Sequence, residues 1–254
     1  MTSGTSGKAY DVTGNRILAA LPEAERRRLL AHLEPVELSM GDVLYRPGEQ
    51  IEAVWFPLLG VCSILAELDG PAVEVATVGD EGMVGLPVFL GVGSPTERAV
   101  VQVAGQGLRM DAGQFRHEIA VLDGQLQQLL QRFTQSMFTQ LARNSACNRS
   151  HRTRQRCARW LLMTADRMHS DQFDLTQKFL AQMLAVRRSS VSEVAGALAE
   201  DGCISYSRGT ITILSRAGLE SSACSCYRVI REAIDVAFPP AGDAAEDDRQ
   251  GMGS

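Results

Sequence analysis

The sequence predicts an α+β chain, an antiparallel β half followed by a helical half, and three observations predict it. Short β-branched runs broken by glycine turns fill the first half, where residues 1–114 hold 15 of the 23 glycines. An apolar stripe at three- and four-residue spacing then runs from 115 to 144 without a cluster of breakers. Helix, tight turn, helix and a period-two hairpin follow between 173 and 214. The chain has 254 residues, 45% of them hydrophobic and 22% charged, an ordinary globular composition. No apolar run approaches the roughly 18 residues that cross a bilayer, and the Gly/Ser/Thr-rich start lacks the apolar core of a signal peptide. The expectation is a cytoplasmic protein with no membrane partner.

In chain order, residues 1–14 read as a flexible N-terminal tail. A short helix over 23–33 opens after Pro22, which suits a first-turn position. Strands are predicted at 36–39, 43–45, 53–57, 61–68, 73–78, 98–103 and 107–110. Turns fall at Met40-Gly41-Asp42, Arg46-Pro47-Gly48, Asp69-Gly70-Pro71 and 91–95. Many short strands at regular spacing indicate an antiparallel β jelly-roll barrel over 15–114. From 115 to 144, Ile119, Leu122, Leu126, Leu129, Phe133, Met137 and Leu141 line one side of a helix otherwise rich in Gln. So long a helix with so narrow a stripe suggests a dimerisation helix, Leu122, Leu126, Leu129, Phe133, Met137 and Leu141 meeting a twin. Folding back onto the chain's own barrel is the alternative, and the two are compatible, since one side can touch the barrel while the other meets a partner.

Residues 145–150 read as a hinge, and 151–168 as a helix with Arg149, Arg152, Arg154, Arg156 and Arg159 crowding its start. Thr176 caps a helix over 177–184, Ala185-Val186 turns the chain, and a second helix covers 188–200, ended by Asp201-Gly202. The alternation of 204–213 around Arg208-Gly209 makes a hairpin. Together these form a winged helix-turn-helix over 145–238. The acidic, Gly/Ala-rich residues 239–254 read as a disordered tail.

Charge supports this division. The net charge of −5 by itself argues against a nucleic-acid partner, but it divides into −6 over 1–144, +4 over 145–214 and −3 over 215–254. On the second helix of the motif, Arg187, Arg188, Ser189, Ser192 and Glu193 form an exposed N-terminal face suited to base edges. Arginine pairs bidentately with guanine, and a carboxylate accepts from cytosine. Thr176, Lys178, Ser190, Arg208 and the arginines at 149–159 are placed to meet phosphates. No nucleophile–base set, metal-ligand spacing or phosphate loop appears, so no enzyme is expected. A helix-turn-helix that meets protein instead of DNA is the remaining rival.

This order of parts resembles the Crp–Fnr superfamily of bacterial transcription regulators over about residues 15–235. The resemblance is carried by Leu175-Thr176-Gln177-Lys178-Phe179-Leu180-Ala181-Gln182-Met183-Leu184, Val186-Arg187-Arg188-Ser189-Ser190-Val191-Ser192, Ile204-Ser205-Tyr206-Ser207-Arg208-Gly209, Gly60-Val61 and Val78-Gly79-Asp80-Glu81-Gly82-Met83-Val84-Gly85. It implies a homodimer on a pseudo-palindromic double-stranded operator, contact with RNA polymerase, and allostery through the long helix. It also implies a ligand pocket in the barrel. Cyclic-nucleotide members carry a Gly-Glu pair for the ribose and an Arg-Ser pair for the phosphate. The matching positions here read Gly85-Leu86 and Arg98-Ala99, and Gln140 falls near the base. Leu86 accepts no hydroxyl and Ala99 offers none, each loss worth about 1 kcal/mol or more, so ordinary cyclic AMP binding is not expected. A small anionic or cyclic-dinucleotide ligand held by Arg98, or no ligand, stays open.

Six cysteines, Cys62, Cys147, Cys157, Cys203, Cys224 and Cys226, read as reduced thiols. No N-terminal cluster supports an iron–sulfur centre, and His32 and His117 do not make a case for haem. Cys224-Ser-Cys226 has no histidine near it in sequence, so no metal site is expected and the pair reads as packing in a terminal helix. Cys147 or Cys157 as an oxidant sensor is an alternative, as is a regulator of this fold that needs no ligand.

Overall fold

The computed structural model describes residues 11–67, 69–70, 72–121 and 124–238. Residues 11–14, expected in the tail, are ordered by capping. The Asp11 carboxylate accepts from the Thr13 N–H, and a 3-10 turn spans Val12–Gly14. Buried Asn15 then caps α1 (Arg16–Ala19) and donates to the carbonyls of Pro57 and Gly82 at 2.9 and 2.8 Å. Residues 1–10 and the acidic tail from 239 lie outside the described residues. Helix α2 (Glu23–Leu30) starts after Pro22 and stops three residues short of its expected end.

Five antiparallel strands follow: β1 (Glu34–Leu38), β2 (Val43–Tyr45), β3 (Ala53–Ala66), β4 (Val73–Val78) and β5 (Glu97–Asp111). The order is β1-β5-β3-β4, with β2 also on β5. The sequence predicts two strands in each of the regions that β3 and β5 occupy; each is one long strand. Pro57 and Gly60 (φ +106°) sit at register shifts between Pro57 and Cys62 that bend β3 without ending it. Leu68 lies outside the described residues. The inner faces carry Val54, Phe56, Cys62, Val101, Leu108 and Met110, sealed by Met83, by Val88 of the short α3 (Leu86–Phe89) and by Phe115.

The predicted long helix is two. Helix α4 (Ala112–Val121) ends, Gly124 adopts a left-handed conformation (φ +86°), and α5 (Gln125–Ser150) begins. Leu122 lies outside the described residues. The expected hinge at 145–150 is instead the last turns of α5, since Ser-Ala-Cys-Asn-Arg-Ser contains no helix breaker and Cys147 is buried. The chain turns at His151 and Arg152, both extended.

The apolar stripe of α5 is used within the chain. Leu126, Leu129, Phe133 and Met137 join the core under the sheet, which corrects the expectation that they face a twin. Ring atoms of Phe133 come within 2.2 Å of where a Cβ on Gly82 would sit, so this approach requires glycine. Farther along, Gln140 accepts from Thr77 N–H at 2.6 Å and donates to its carbonyl at 3.1 Å, and Asn144 donates to Val75 at 2.8 Å. The opposite face exposes Gln131, Gln135, Phe138, Ala142, Ser145 and Arg149, which recur at heptad spacing, with Leu141 beside them.

The C-terminal half comprises α6 (Thr153–Met168), β6 (Gln172–Asp174), α7 (Gln177–Met183), α8 (Arg188–Glu200), β7 (Ile204–Ser207), β8 (Thr210–Ile213), α9 (Arg216–Ser222) and α10 (Cys226–Ala237). A three-stranded sheet runs β6-β8-β7. Its core also takes in Val61, Leu65, Val100 and Val103 of the first half, so the two halves share apolar contacts. Polar contacts join them too. Arg167 of α6, buried, forms a bidentate pair with buried Glu81 at 2.6–3.1 Å. Trp160 donates to Glu74 at 3.0 Å.

Candidate functional site

The helix-turn-helix is assembled by local hydrogen bonds. The Thr176 hydroxyl accepts from Phe179 N–H at 3.2 Å, capping α7 as predicted. Tyr206 of β7 accepts from Gln177 N–H at 3.1 Å and donates to the Leu175 carbonyl at 3.2 Å. Sequence reasoning placed Tyr206 only in a strand, yet it ties the hairpin to the first helix. The chain reverses at Ala185 (φ +50°), and the Val186 N–H bonds the Ala181 carbonyl. Helix α8 buries Val191, Ala195 and Leu198. At the hairpin tip Arg208 (φ +51°) and Gly209 (φ +89°) form the left-handed pair of a tight two-residue turn.

This scaffold exposes Arg187, Arg188, Ser189, Ser192 and Glu193 on one end of α8, with Ser190 half-buried behind them. Ser192 also donates to Gln177 at 2.9 Å, linking the two helices. Thr176 and Lys178 of the α7 start and Arg208 of the hairpin are exposed as well. Among the described residues no ion pair engages Lys178, Arg187, Arg188 or Arg208, whereas Arg154 pairs with Asp201 and Arg216 with Asp166. One expectation fails: Arg156 and Arg159 are buried rather than facing phosphates, because they lie on the inner side of α6.

The pocket positions separate. A cavity of about 230 Å³ lies between the sheet and α5. Gly85 and Leu86 line it, together with Ile64, Val78, Met137 and Phe138. Arg98 instead lies beside Glu67 at 3.5 Å, Ala99 is fully buried in the sheet, and Gln140 is engaged by Thr77; none of the three lines the cavity. Its polar side chains are Tyr45, Glu97 and Thr134. Burial first, and then the Glu97 charge, push the Tyr45 phenol above its usual range, leaving a neutral donor. With Glu97 the single charged group in the lining, the anionic-ligand expectation loses its physical basis.

All six cysteines are buried. Burial pushes Cys157 up to about 12, so it lacks the thiolate an oxidant sensor needs. The expectation of no metal ligands near Cys224 and Cys226 also fails. Cys147 and His151, one turn apart at the end of α5, meet them in space, with all four ligand atoms within 4.8 Å of one another. The i, i+4 spacing of Cys147 and His151 is the sequence signal, and it shows only when 145–150 is helical.

Comparison with known proteins agrees with this architecture. Residues 155–222 match the Crp-like helix-turn-helix domain family. No curated protein matches. Among solved structures, a putative transcriptional regulator of the Crp/Fnr family from Eubacterium rectale is similar, with a TM-score of 0.62 at 14% identity over 85% of this chain and 99% of that one. FixK2 from Bradyrhizobium japonicum gives 0.62 at 16% identity over 76% and 98%. The c-di-GMP-responsive global regulator CLP from Xanthomonas campestris gives 0.61 at 15% over 76% and 100%. At these identities the likeness to the solved structures is one of fold. Residues 155–222 thus match the Crp-like helix-turn-helix domain, and the chain as a whole shares the fold of these solved structures.

Proposed function

We propose that the chain is a dimeric, sequence-specific DNA-binding transcription regulator whose sensor half repositions two recognition helices through α5. The exposed N-terminal face of α8 carries this reading: Arg187, Arg188, Ser189, Ser192 and Glu193 stand where such a helix meets major-groove base edges. Lys178 and Arg208 carry exposed charges that pair with no acidic side chain among the described residues, which suits phosphate contact, and Thr176 and Ser190 offer hydroxyls for the same role. The partner subunit would meet the exposed heptad seam of α5 centred on Phe138, giving two α8 helices for a pseudo-palindromic operator. Contact with RNA polymerase and a cytoplasmic setting go with this reading.

The cavity under α5 supports a sensing role, because its lining joins the sheet to the proposed dimer helix. A ligand filling it would be small, uncharged and largely apolar, with Tyr45 and Thr134 to orient it. Such a ligand would regulate only by favouring one dimer state over another.

A gel-shift titration on promoter DNA across salt tests the DNA-binding reading. Lys178 and Arg208 on two subunits predict log affinity falling linearly with log salt, with a slope steeper than about −3. A salt-independent affinity would overturn it and favour a protein partner for the helix-turn-helix.

A further inference from the structure

We propose that Cys147, His151, Cys224 and Cys226 form a Cys3His site for a zinc ion that fixes the corner between α5 and the DNA-binding half. The site joins two places in the chain: the end of α5, with Cys147 in its last turn and His151 just past it, and the start of α10, which Cys226 opens and Cys224 precedes.

The separations match tetrahedral coordination. Zinc–sulfur bonds near 2.3 Å place sulfurs about 3.8 Å apart around the ion, and zinc–nitrogen bonds of about 2.0–2.1 Å bring nitrogen and sulfur somewhat closer. Here Cys147 Sγ lies 3.5 Å from Cys224 Sγ, His151 Nδ1 lies 3.4 Å from Cys147 Sγ, and Cys226 Sγ lies 3.7 Å from Nδ1. The remaining pairs are within 4.8 Å. The three cysteines form a small cluster separate from both apolar cores, as a ligand set does. Half-buried His151 gives the set an edge toward solvent, through which an ion can enter.

The surrounding charge points the same way. Buried Arg156 and Arg159 are electrostatic neighbours of these sulfurs. Their hydrogen bonds go to neutral acceptors, the Leu184 carbonyl and the Asn144 amide oxygen. The Nε of each has no hydrogen-bond partner among the described residues. Among the described residues neither buried guanidinium hydrogen-bonds an acidic side chain. Three thiolates around Zn²⁺ carry one net negative charge, which supplies a counter-charge. On binding, each thiol exchanges its S–H bond for an S–Zn bond and releases its proton to solvent, while neutral His151 donates a lone pair. No electron is transferred. Three thiolates with one imidazole is a set that closes a structural zinc site with no open position.

The test uses the full chain purified under reducing conditions. Metal analysis should find about one zinc per chain that survives desalting, and chelation should lower the melting temperature by about 5 °C or more. Cobalt added to the stripped protein should give ligand-field bands of tetrahedral intensity with thiolate charge transfer. Cys224→Ser and His151→Ala should each lose the tetrahedral spectrum. Cys226→His keeps a zinc-type ligand and should retain one metal with weakened charge transfer, which separates ligand loss from misfolding. Freshly purified chain with no retained zinc, cobalt bound with an octahedral spectrum or unaltered in the variants, or a Cys147–Cys224 disulfide in place of metal would each overturn the site.

Discussion

At the scale of single residues, the two kinds of arginine on the proposed DNA face predict separable losses. Arg188→Ala removes a base-reading fork and should reduce preference for the operator over random DNA by about 1–3 kcal/mol. Arg208→Ala removes a phosphate contact and should weaken both DNAs evenly. Binding measured on operator and random duplexes side by side checks this; equal losses from both variants would refute the assignment. A second residue, Glu74, carries a pH signature. It is buried where the halves meet, with hydrogen bonds from Ser63 and Trp160. Burial dominates and raises its pKa from 4.5 to about 7, opposed by those hydrogen bonds and by Arg159 and Arg167. The folded chain therefore holds a proton that the unfolded chain has released between these values. Its contribution makes stability fall as pH rises from about 4.5 to 7, by at most about 3 kcal/mol. Denaturant midpoints across that window should slope less for Glu74→Gln than for the native chain; parallel profiles would contradict this.

At the scale of elements, α5 has two faces with different jobs. Leu129→Ala opens a cavity in the chain's own core and should cost about 2–5 kcal/mol of stability. Phe138→Glu lies on an exposed face and should leave folding intact while shifting sedimentation from dimer to monomer. A Phe138→Glu chain that remains a dimer would place the interface elsewhere. The same helix shows where sequence reading stops. The helix-turn-helix was legible because its signals are local: Thr176 caps, Asp201-Gly202 terminates, and Arg208-Gly209 turns. The α5 stripe was legible as a stripe, but its partner was not, because period alone does not say whether Leu126 and Phe133 meet a twin or the sheet. Pro57 and Gly60 read equally as a turn or a bulge. The Cys147–His151 pair and Cys224 lie more than 70 residues apart in sequence, and only the packing of α10 on α5 brings them together.

At the scale of the whole molecule, the two halves share apolar contacts and the buried Glu81–Arg167 pair. Such a pair adds little net stability against an apolar substitute, but breaking it leaves a buried charge, so it favours one docking geometry. The charge distribution follows this division. The exposed cations Lys178, Arg187, Arg188 and Arg208 belong to the DNA-binding half, while part of that half's positive charge, Arg156, Arg159 and Arg167, is buried. The central claim is that two copies present their α8 helices to one duplex. Selection from a randomised duplex pool by the purified full chain, followed by sequencing, tests this most directly. Two such helices should enrich an inverted repeat whose half-site centres lie about one helical turn, 10–10.5 base pairs, apart or a multiple of it. Absence of enrichment, or enrichment of a single unpaired half-site, would contradict it.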